Sequence, residues 1–499
     1  MLNVRVVAHR GTPEVLALPV LSPNGGDGEA AVGRLPATAC RADSEVRDEA
    51  LALLAGVEHR GAAGVVQTLT RPLRRPARVL LVGVGSGNEA GWRAAGAGLV
   101  RSARREAALT VGLPVDVPAG VRRDAVRGLA EGALLASYRY RLGADPPDKA
   151  PKLRTVTMIA EEPVEVASAV AWALAVAEAT YLARDLTNTP SDRKSPAWFA
   201  RRVERAAAAH PGLTVRVRDP RELTVEGFGG ILAVGRGSAR PPRLVELSWR
   251  PQAAHRHVVF VGKGITFDTG GVCIKTRDGM KLMRKDMAGA AAVTAATIGA
   301  AALRLPVRVT ALAPLAENMP GADAYRPGDV VRHYGGMTSE IANTDAEGRV
   351  VLADALSYAV RRLHPDLLVD LATLTGSATV ALGKRTAALF TDSDPLAKAL
   401  GEAADAAGER LWRMPLPDDY TEAVRGELAD MVNSTDVGAG AVMAALYLRE
   451  FVGAATDRWA HLDMSAPAWS DSADGELVKG ATGWGVRTLL RWLQSLCPP

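Results

Sequence analysis

Three runs of nearly unbroken apolar residues constrain this chain more than anything else in it: HVVFVG from His257, VRVTALAP from Val307 and DLLVDLATL from Asp366. A strand with one wet face alternates apolar and polar residues. Continuous runs of Val, Leu, Ala and Phe therefore belong to strands covered on both faces, as in the largely parallel sheets of α/β domains. A fourth run, RWAHLDM from Arg458, follows later. Ligands of such sheets gather beyond the carboxyl ends of the strands, so the chemistry is to be sought just after these runs.

The first third alternates strand and helix patterns too: NVRVVAH, then ARVLLVGVGSG from Ala77, an Ala-rich helical stretch from about Gly91, and TVTMIAEEP from Thr155. These predict an N-terminal α/β domain over residues 1–163. GVGSG, Gly83 to Gly87, follows a buried-looking strand. The third glycine of a dinucleotide fingerprint and its acidic partner are missing, which leaves nucleotide binding a minor reading. GADPPDKAPKLR from Gly143 reads as an excursion before the last strand. VEVASAVAWALAVAEATYLARDL predicts one helix over Val164–Leu186, ~35 Å long at 1.5 Å per residue, able to link two domains. TNTPSDRKSP ends it with two prolines and turn formers. Residues 164–499 then comprise this linking helix and a second, larger α/β/α domain.

Composition excludes more than it identifies. At 48% hydrophobic and 23% charged, the 499 residues are those of an ordinary globular protein with room for more than one core. Sixty Lys and Arg against 55 Asp and Glu leave a formal charge of +5, too little to demand nucleic acid. RPLRRPAR, Arg71 to Arg78, is the densest basic cluster and reads as a solvated turn before a phosphate patch. Three cysteines, Cys40, Cys273 and Cys497, are too few and scattered for a disulfide framework or a thiolate zinc site. The N-terminus lacks a basic leader joined to a long apolar stretch, and no run approaches the ~18 apolar residues of a membrane span. A cytoplasmic protein without membrane partners is expected.

The segment after His257 concentrates chemistry. GKGITFDTGGVCIKTRDGMKLMRKDMAGAAAV, Gly262 to Val293, places Lys263 and Asp268 at a strand end among four glycines, Lys275 seven residues on, and Asp286 at the opening of an Ala-rich helix. Taken singly, the lysines read as surface cations and Asp286 as a helix-capping acid. NTDAEGRV, Asn343 to Val350, adds Asp345, Glu347 and Arg349, each two residues from the next. In an extended segment these three would share one face. Carboxylates placed side by side raise one another's pKa unless a cation lies between them, so the octet reads either as a wet surface turn or as a metal loop. Four acids flanking apolar strands, with no His-rich or Cys-rich spacing nearby, favour hard divalent ions, and suit two better than one. Two ions ~3.5–4 Å apart can share a water and lower its pKa, which serves hydrolysis of an amide or a phosphoester.

These segments together resemble the leucyl aminopeptidases, the M17 metallopeptidase family. NTDAEGR resembles that family's signature, and VGKGITFDTGG, IK and KDMAGAAAV resemble its other catalytic segments in the right order. NMPGADAYRPGDV, VLADAL, DLATLTG, WRMPL, WAHLDM and GATGWGVRTLL extend the likeness from about Thr187 to Leu490. The resemblance implies two domains, an N-terminal α/β domain of macro-like type and a C-terminal α/β/α metallopeptidase domain with a mixed, largely parallel central sheet. It implies removal of the N-terminal residue of peptides, preferably Leu, Met or similar, through a hydroxide bridging two metals. Lys263, Asp268, Asp286, Asp345 and Glu347 would hold the ions, Asp268 and Glu347 bridging them. Zinc or manganese is implied, with magnesium or cobalt in the exchangeable position.

Lys275 and Arg349 would be the non-ligand catalytic pair, with a bicarbonate held near Arg349. Met283, Thr373 and Gly376 would line the substrate pocket. The resemblance also implies a homohexamer, and some relatives carry an additional DNA-binding accessory role. Within the chain, the loop WAHLDMSAPAWS offers Trp469 either to a subunit interface or to its own core. Three positions depart from the family's usual pattern: Asp192 where an asparagine is common, Cys273 two residues before Lys275, and Val350 in place of a leucine.

Overall fold

A computed structural model of the chain describes residues 1–8, 11–22, 44–113, 119–143, 150–160, 162–252 and 254–497. Cys40 and most of the excursion after Gly143 lie outside the described residues. The chain divides into two compact units, Met1–Glu178 with Asp471–Lys479, and Ala179–Ser470 with Gly480–Pro499. The division falls within the helix Pro163–Asn188, whereas the sequence places it at that helix's start.

In the first unit six strands, β1 (Asn3–Val7), β2 (Val15–Leu21), β3 (Val66–Thr70), β4 (Arg78–Gly85), β5 (Ala108–Gly112) and β6 (Thr155–Ile159), form a sheet in the order β1-β6-β5-β2-β4-β3. All neighbours are parallel except β3 and β4. The helices Glu89–Ser102 and Ala119–Ser137 pack on it through Trp92, Leu99, Leu129 and Leu134. The glycines permit the close approach. A Cβ at Gly132 would lie 1.9 Å from the Arg93 carbonyl oxygen, and one at Gly96 2.2 Å from that of Leu129. The basic cluster is neutralised within this unit. Arg71 pairs with Glu45 and Glu49, Arg74 with the same two acids, Arg75 with Glu14 and Arg78 with Glu106. That pattern lends the nucleic-acid reading no support.

The helix Pro163–Asn188 runs 26 residues and is apolar and long enough to cross a bilayer by composition alone, contrary to the expectation that no run approaches a span. Its most apolar stretch is 56% buried inside the protein. Val166, Ala169, Val170, Ala173 and Ala177 join the core of the first unit.

The second unit is built on a nine-stranded sheet, among the described residues. Its strands are β7 (Leu213–Arg218), β8 (Arg243–Trp249), β9 (His257–Gly262), β10 (Gly264–Asp268), β11 (Arg308–Asn318), β14 (Leu367–Ala372), β15 (Thr386–Phe390), β16 (Arg410–Arg413) and β18 (Trp459–Asp463). The short β12 (Val330–Arg332), β13 (Thr338–Glu340) and β17 (Met431–Val432) make a separate sheet. The order is β16-β15-β18-β14-β9-β11-β8-β7, with β10 beside β11. The four apolar runs seen in the sequence are the neighbours β18, β14, β9 and β11, all parallel. The helix Ala288–Ala302, buried along nearly its whole length, and the helix Glu347–Tyr358, whose Leu352 and Leu356 share a core cluster with Val259 and Val261, both contact β9, so the strand needs no polar face.

His257 opens β9 at 7% exposure, its Nε2 3.0 Å from Thr310 Oγ1 on β11. Burial, aided by the Arg308 guanidinium, lowers its pKa to about 4. Between about pH 6.5 and about 4 the unfolded chain binds a proton there that the native state refuses, so stability falls on acidification through this window. Glu347 and Asp345, raised to about 7 and about 6, bind protons in the native state over the same range and oppose this contribution, so it is read as a difference. The urea midpoint of metal-free wild type should fall relative to that of His257→Gln as the pH drops through the window. A gap between the two that does not change with pH would show that His257 does not carry it.

Candidate functional site

The sequence-predicted carboxylates converge where the carboxyl ends of β9, β10 and β14 meet. β9 breaks after Gly262, so that Lys263 sits at the switch into β10, which pairs with the far half of β11. The Lys263 backbone is held on both sides: its N–H donates to Leu371 O and its carbonyl accepts from Ala290 N–H, each at 2.9 Å. Its Nζ lies 2.9 Å from Asp286 Oδ2 and 2.8 Å from Glu347 Oε1, and donates to Thr373 O at 2.9 Å. Asp268 ends β10 opposite Asn318. Its Oδ1 accepts from Gly270 N–H and Asn318 Nδ2, both at 2.8 Å, and its Oδ2 faces Lys275 Nζ at 2.9 Å. Lys275 also pairs with Asp345.

Two local expectations need correction. Asp286 does not open the Ala-rich helix. It follows a single 3₁₀ turn, Met283–Lys285, and the helix begins at Ala288. Nor do Asp345, Glu347 and Arg349 share a face of an extended segment. Asp345 lies in a turn, and Glu347 is the first residue of the helix Glu347–Tyr358. Residues two apart on a helix point to nearly opposite sides. Glu347 therefore turns to Lys263, while Arg349 Nη1 donates to Asn433 O at 2.9 Å. The alternation serves to part the acid from the base.

The donor set fits divalent cations. One oxygen from each of Asp268, Asp286 and Glu347 lies within 4.8 Å of the others, and all three side chains are buried. Among the described residues, Asp286 Oδ2 and Glu347 Oε1 have no hydrogen-bond donor beside the Lys263 ammonium, and Asp345 Oδ1 has none beside Lys275. Four acids face two ammonium groups, an excess of negative charge that small hard cations would satisfy. The protonation equilibria register the strain. Burial, together with the Asp268 charge, raises Glu347 to about 7 and Asp345 to about 6, and burial raises Asp286 as well. Lys263 and Lys275 are both held above the usual lysine range, the surrounding carboxylates overcoming burial. Burial lowers Arg349, which pairs with no carboxylate among the described residues.

Several residues that shape the site were not legible as functional. Asn433 clamps the signature loop: its Oδ1 accepts from Ala342 and Asn343 N–H at 2.8 and 3.2 Å, and its Nδ2 donates to Asn343 O at 2.7 Å. Thr344 joins this loop to the glycine loop, donating to Gly270 O at 2.7 Å and accepting from Cys273 N–H at 2.9 Å. Asp463 ends β18 and gathers Leu374 N–H, Thr375 N–H and Thr375 Oγ1 at 2.7–3.2 Å, so it orients the loop that precedes Gly376. Only its place at a strand end within WAHLDM could have pointed to it.

Of the residues expected to line a substrate pocket, Thr373 donates to Asp286 Oδ1 at 2.7 Å. Met283 is half-buried and Gly376 exposed. Trp469 is engaged within its own chain, the Arg284 guanidinium lying 5.0 Å over its ring.

A second constellation has the order of a nucleophilic triad. Asp354 Oδ1 lies 3.2 Å from His333 Nδ1, and His333 Nε2 lies 2.9 Å from Ser339 Oγ. All three are at most 1% exposed, and the Ser339 hydroxyl is shared with Tyr447 at 2.7 Å. Asp354 also accepts from Ile231 and Tyr334 N–H. This network anchors the helix that carries Glu347 and Arg349.

Gly348 shows how tightly the site is built. A Cβ there would fall 2.5 Å from Lys263 Cε and 2.7 Å from its Nζ. Gly348→Ala should therefore displace that amine from Glu347 and weaken metal binding about 10–100-fold, the usual effect of disturbing a ligand's support. Metal titration by calorimetry checks this, and unchanged affinity would mean that Lys263 is free to move.

Residues 181–490 match the catalytic-domain model of the cytosol aminopeptidase family, and residues 32–142 match the model of its N-terminal domain. A probable cytosol aminopeptidase of Syntrophotalea carbinolica is 43% identical over 429 residues, covering 84% of this chain and 86% of the relative. One of Geobacter sulfurreducens is 38% identical over 476 residues, covering 91% and 95%. Among solved structures, the bottromycin maturation enzyme BotP in complex with Mn superposes with a TM-score of 0.82 at 40% identity, covering 97% of this chain and 99% of that one. A point mutant of tomato leucine aminopeptidase gives 0.85 at 30% identity, covering 99% and 97%.

Proposed function

Because this chain belongs to the cytosol aminopeptidase family and is a metal-dependent peptidase, we propose that it removes N-terminal residues, Leu and Met foremost, from peptides at the centre built by Lys263, Asp268, Asp286, Asp345 and Glu347. The observation that carries this reading is the convergence of four acids on two ammonium groups, with three carboxylates within 4.8 Å. Asp268, Asp286 and Glu347 with Lys263 would hold one ion, and Asp268 and Glu347 with Asp345 the other. When bound, a pair of divalent ions, zinc or manganese with magnesium or cobalt as alternatives, would supply an activated water and polarise the scissile carbonyl. The solved relative in complex with Mn supports a divalent ion.

The chain's own residues do the rest. Lys263 must give up its proton to act as a ligand, and cations taking the place of its ammonium among the carboxylates would remove the field that now holds the proton there. Lys275 Nζ, 17% exposed beside Asp268 and Asp345, can donate to an oxygen on which negative charge develops. Arg349 keeps a buried Nε without a partner among the described residues, which suits it to hold a small oxyanion such as bicarbonate, a group that would supply proton exchange when bound. Met283 and Gly376, with Thr373 behind them, would form the wall against which an apolar side chain lies. A homohexamer in the cytoplasm, as the resemblance implies, completes the proposal.

Initial rates on a panel of aminoacyl amides, after reconstitution with each metal, test it. Release should favour Leu and Met over Asp and Lys. A flat profile would remove the pocket assignment, and turnover of a phosphomonoester without amide turnover would remove the peptidase reading.

A further inference from the structure

Lys194 stands in TNTPSDRKSP, a segment that the sequence marks only as a helix breaker. Its side chain is fully buried, at 0% exposure. Nζ donates to Leu186 O at 3.1 Å, Thr187 O at 3.0 Å and Arg284 O at 2.6 Å, and lies 3.2 Å from Met287 Sδ. Three carbonyls match the three protons of an ammonium group. The first two lie in the last turn of the helix Pro163–Asn188, among the carbonyls a helix leaves without an internal partner and at the negative end of its dipole. The other two acceptors flank Asp286, Arg284 standing two residues before it and Met287 directly after. No carboxylate pairs with Nζ among the described residues. Burial and the Arg284 guanidinium draw the amine well below the usual lysine range, while Asp286 draws it upward.

A buried amine is costly unless its N–H groups are hydrogen-bonded, and here the carbonyls that satisfy it come from two segments that it thereby ties together. Other ties of the segment around Asp286 run through its side chains: Thr373 Oγ1 donates to Asp286 Oδ1 at 2.7 Å, Lys263 pairs with Asp286, and the Arg284 guanidinium lies over Trp469. Lys194 instead holds its backbone, at Arg284 O. The helix that starts at Ala288 has no side-chain cap, and Asp286 sits on a single 3₁₀ turn. Lys285 Nζ, donating to Ser465 O at 2.9 Å, is a further brace from the same turn.

We propose that Lys194 is a positioning residue for the metal centre, its amine fastening the segment Met283–Met287 to the end of the helix Pro163–Asn188 and so holding the Asp286 carboxylate beside Asp268 and Glu347. This rests on the reading of Asp286 as a metal ligand. The amine touches neither substrate nor metal and acts through the backbone that carries Asp286.

The test titrates metal-free wild type, Lys194→Met and Lys194→Ala with Mn²⁺ by calorimetry, alongside thermal melts. Wild type should take up two ions per chain. Lys194→Met preserves bulk but not the N–H donors, and should bind at least one ion about 10–100-fold more weakly. Lys194→Ala should be weakened likewise and be restored in part by methylammonium, but not by tetramethylammonium, which has no N–H to donate. A purely space-filling role would leave Lys194→Met like wild type and give no rescue that depends on N–H groups. Either result overturns the proposal.

If wild type takes up no Mn²⁺, the metal reading itself fails. If wild type takes up two ions and the variants match it, only this inference fails. Should Lys194→Met and Lys194→Ala not fold, Lys194→Gln keeps much of the bulk and an N–H group but has too few donors for the three carbonyls. Weakened Mn²⁺ binding is then the expected result, and undiminished binding would again overturn the proposal.

Discussion

Glu347→Gln is expected to lower kcat on a leucyl amide by at least about 10³-fold. Loss of a single oxyanion donor already costs about 10²–10³ in other hydrolases, and this change removes a charged ligand that two ions would share. Glu347 is 1% exposed and opens the helix Glu347–Tyr358, where the dipole favours an anion. The amide retains the shape and the packing against Lys263, and Asp286 remains to pair with that ammonium at 2.9 Å. Folding should survive, and metal content should fall below two ions per chain. Asp345→Asn should act in the same direction. Its side chain is 32% exposed, so the effect on the metal-free fold should be smaller still. Near-normal kcat in either variant with both ions bound would show that NTDAEGR is not the metal loop.

Lys275→Met should separate electrophile from ligand. Its ammonium lies 2.9 Å from Asp268 Oδ2 without the deep burial of Lys263, which leaves it open to an approaching substrate. The expected loss is about 10²–10³ in kcat, or ~3–4 kcal/mol of transition-state stabilisation, with metal content unchanged. Metal analysis beside steady-state rates checks both halves. A Lys275 variant that binds one ion fewer would mean that Lys263 and Lys275 have exchanged roles.

The sheet was legible because continuous apolar runs leave few alternatives. The runs at His257, Val307, Asp366 and Arg458 became four adjacent parallel strands. The clustering of Asp268, Asp286, Asp345 and Glu347 was legible for a related reason, since carboxylates at the ends of such strands are expensive without a cation. Local conformation was less readable. Acid-x-acid-x-base alternation is as compatible with a helix start as with an extended loop, and the choice is made by contacts with distant parts of the chain: Asn433 grips the turn, and Asp354, within the helix, accepts from Ile231 N–H. Nothing local distinguishes Asn433 from a surface asparagine. Lys194 escaped for the same reason. Its carbonyl partners come from a helix end and from a segment about ninety residues away, and a lone lysine between prolines carries no sign of either.

If the proposed function holds, four acids and two lysines form a centre that works only when filled by divalent ions. The most direct measurement strips the protein with a chelator, confirms by elemental analysis that no metal remains, and follows leucyl amide hydrolysis as Mn²⁺ is added in known equivalents. No turnover is expected in the stripped protein, and full recovery near two equivalents per chain. Undiminished hydrolysis by the metal-free protein would contradict the proposed function.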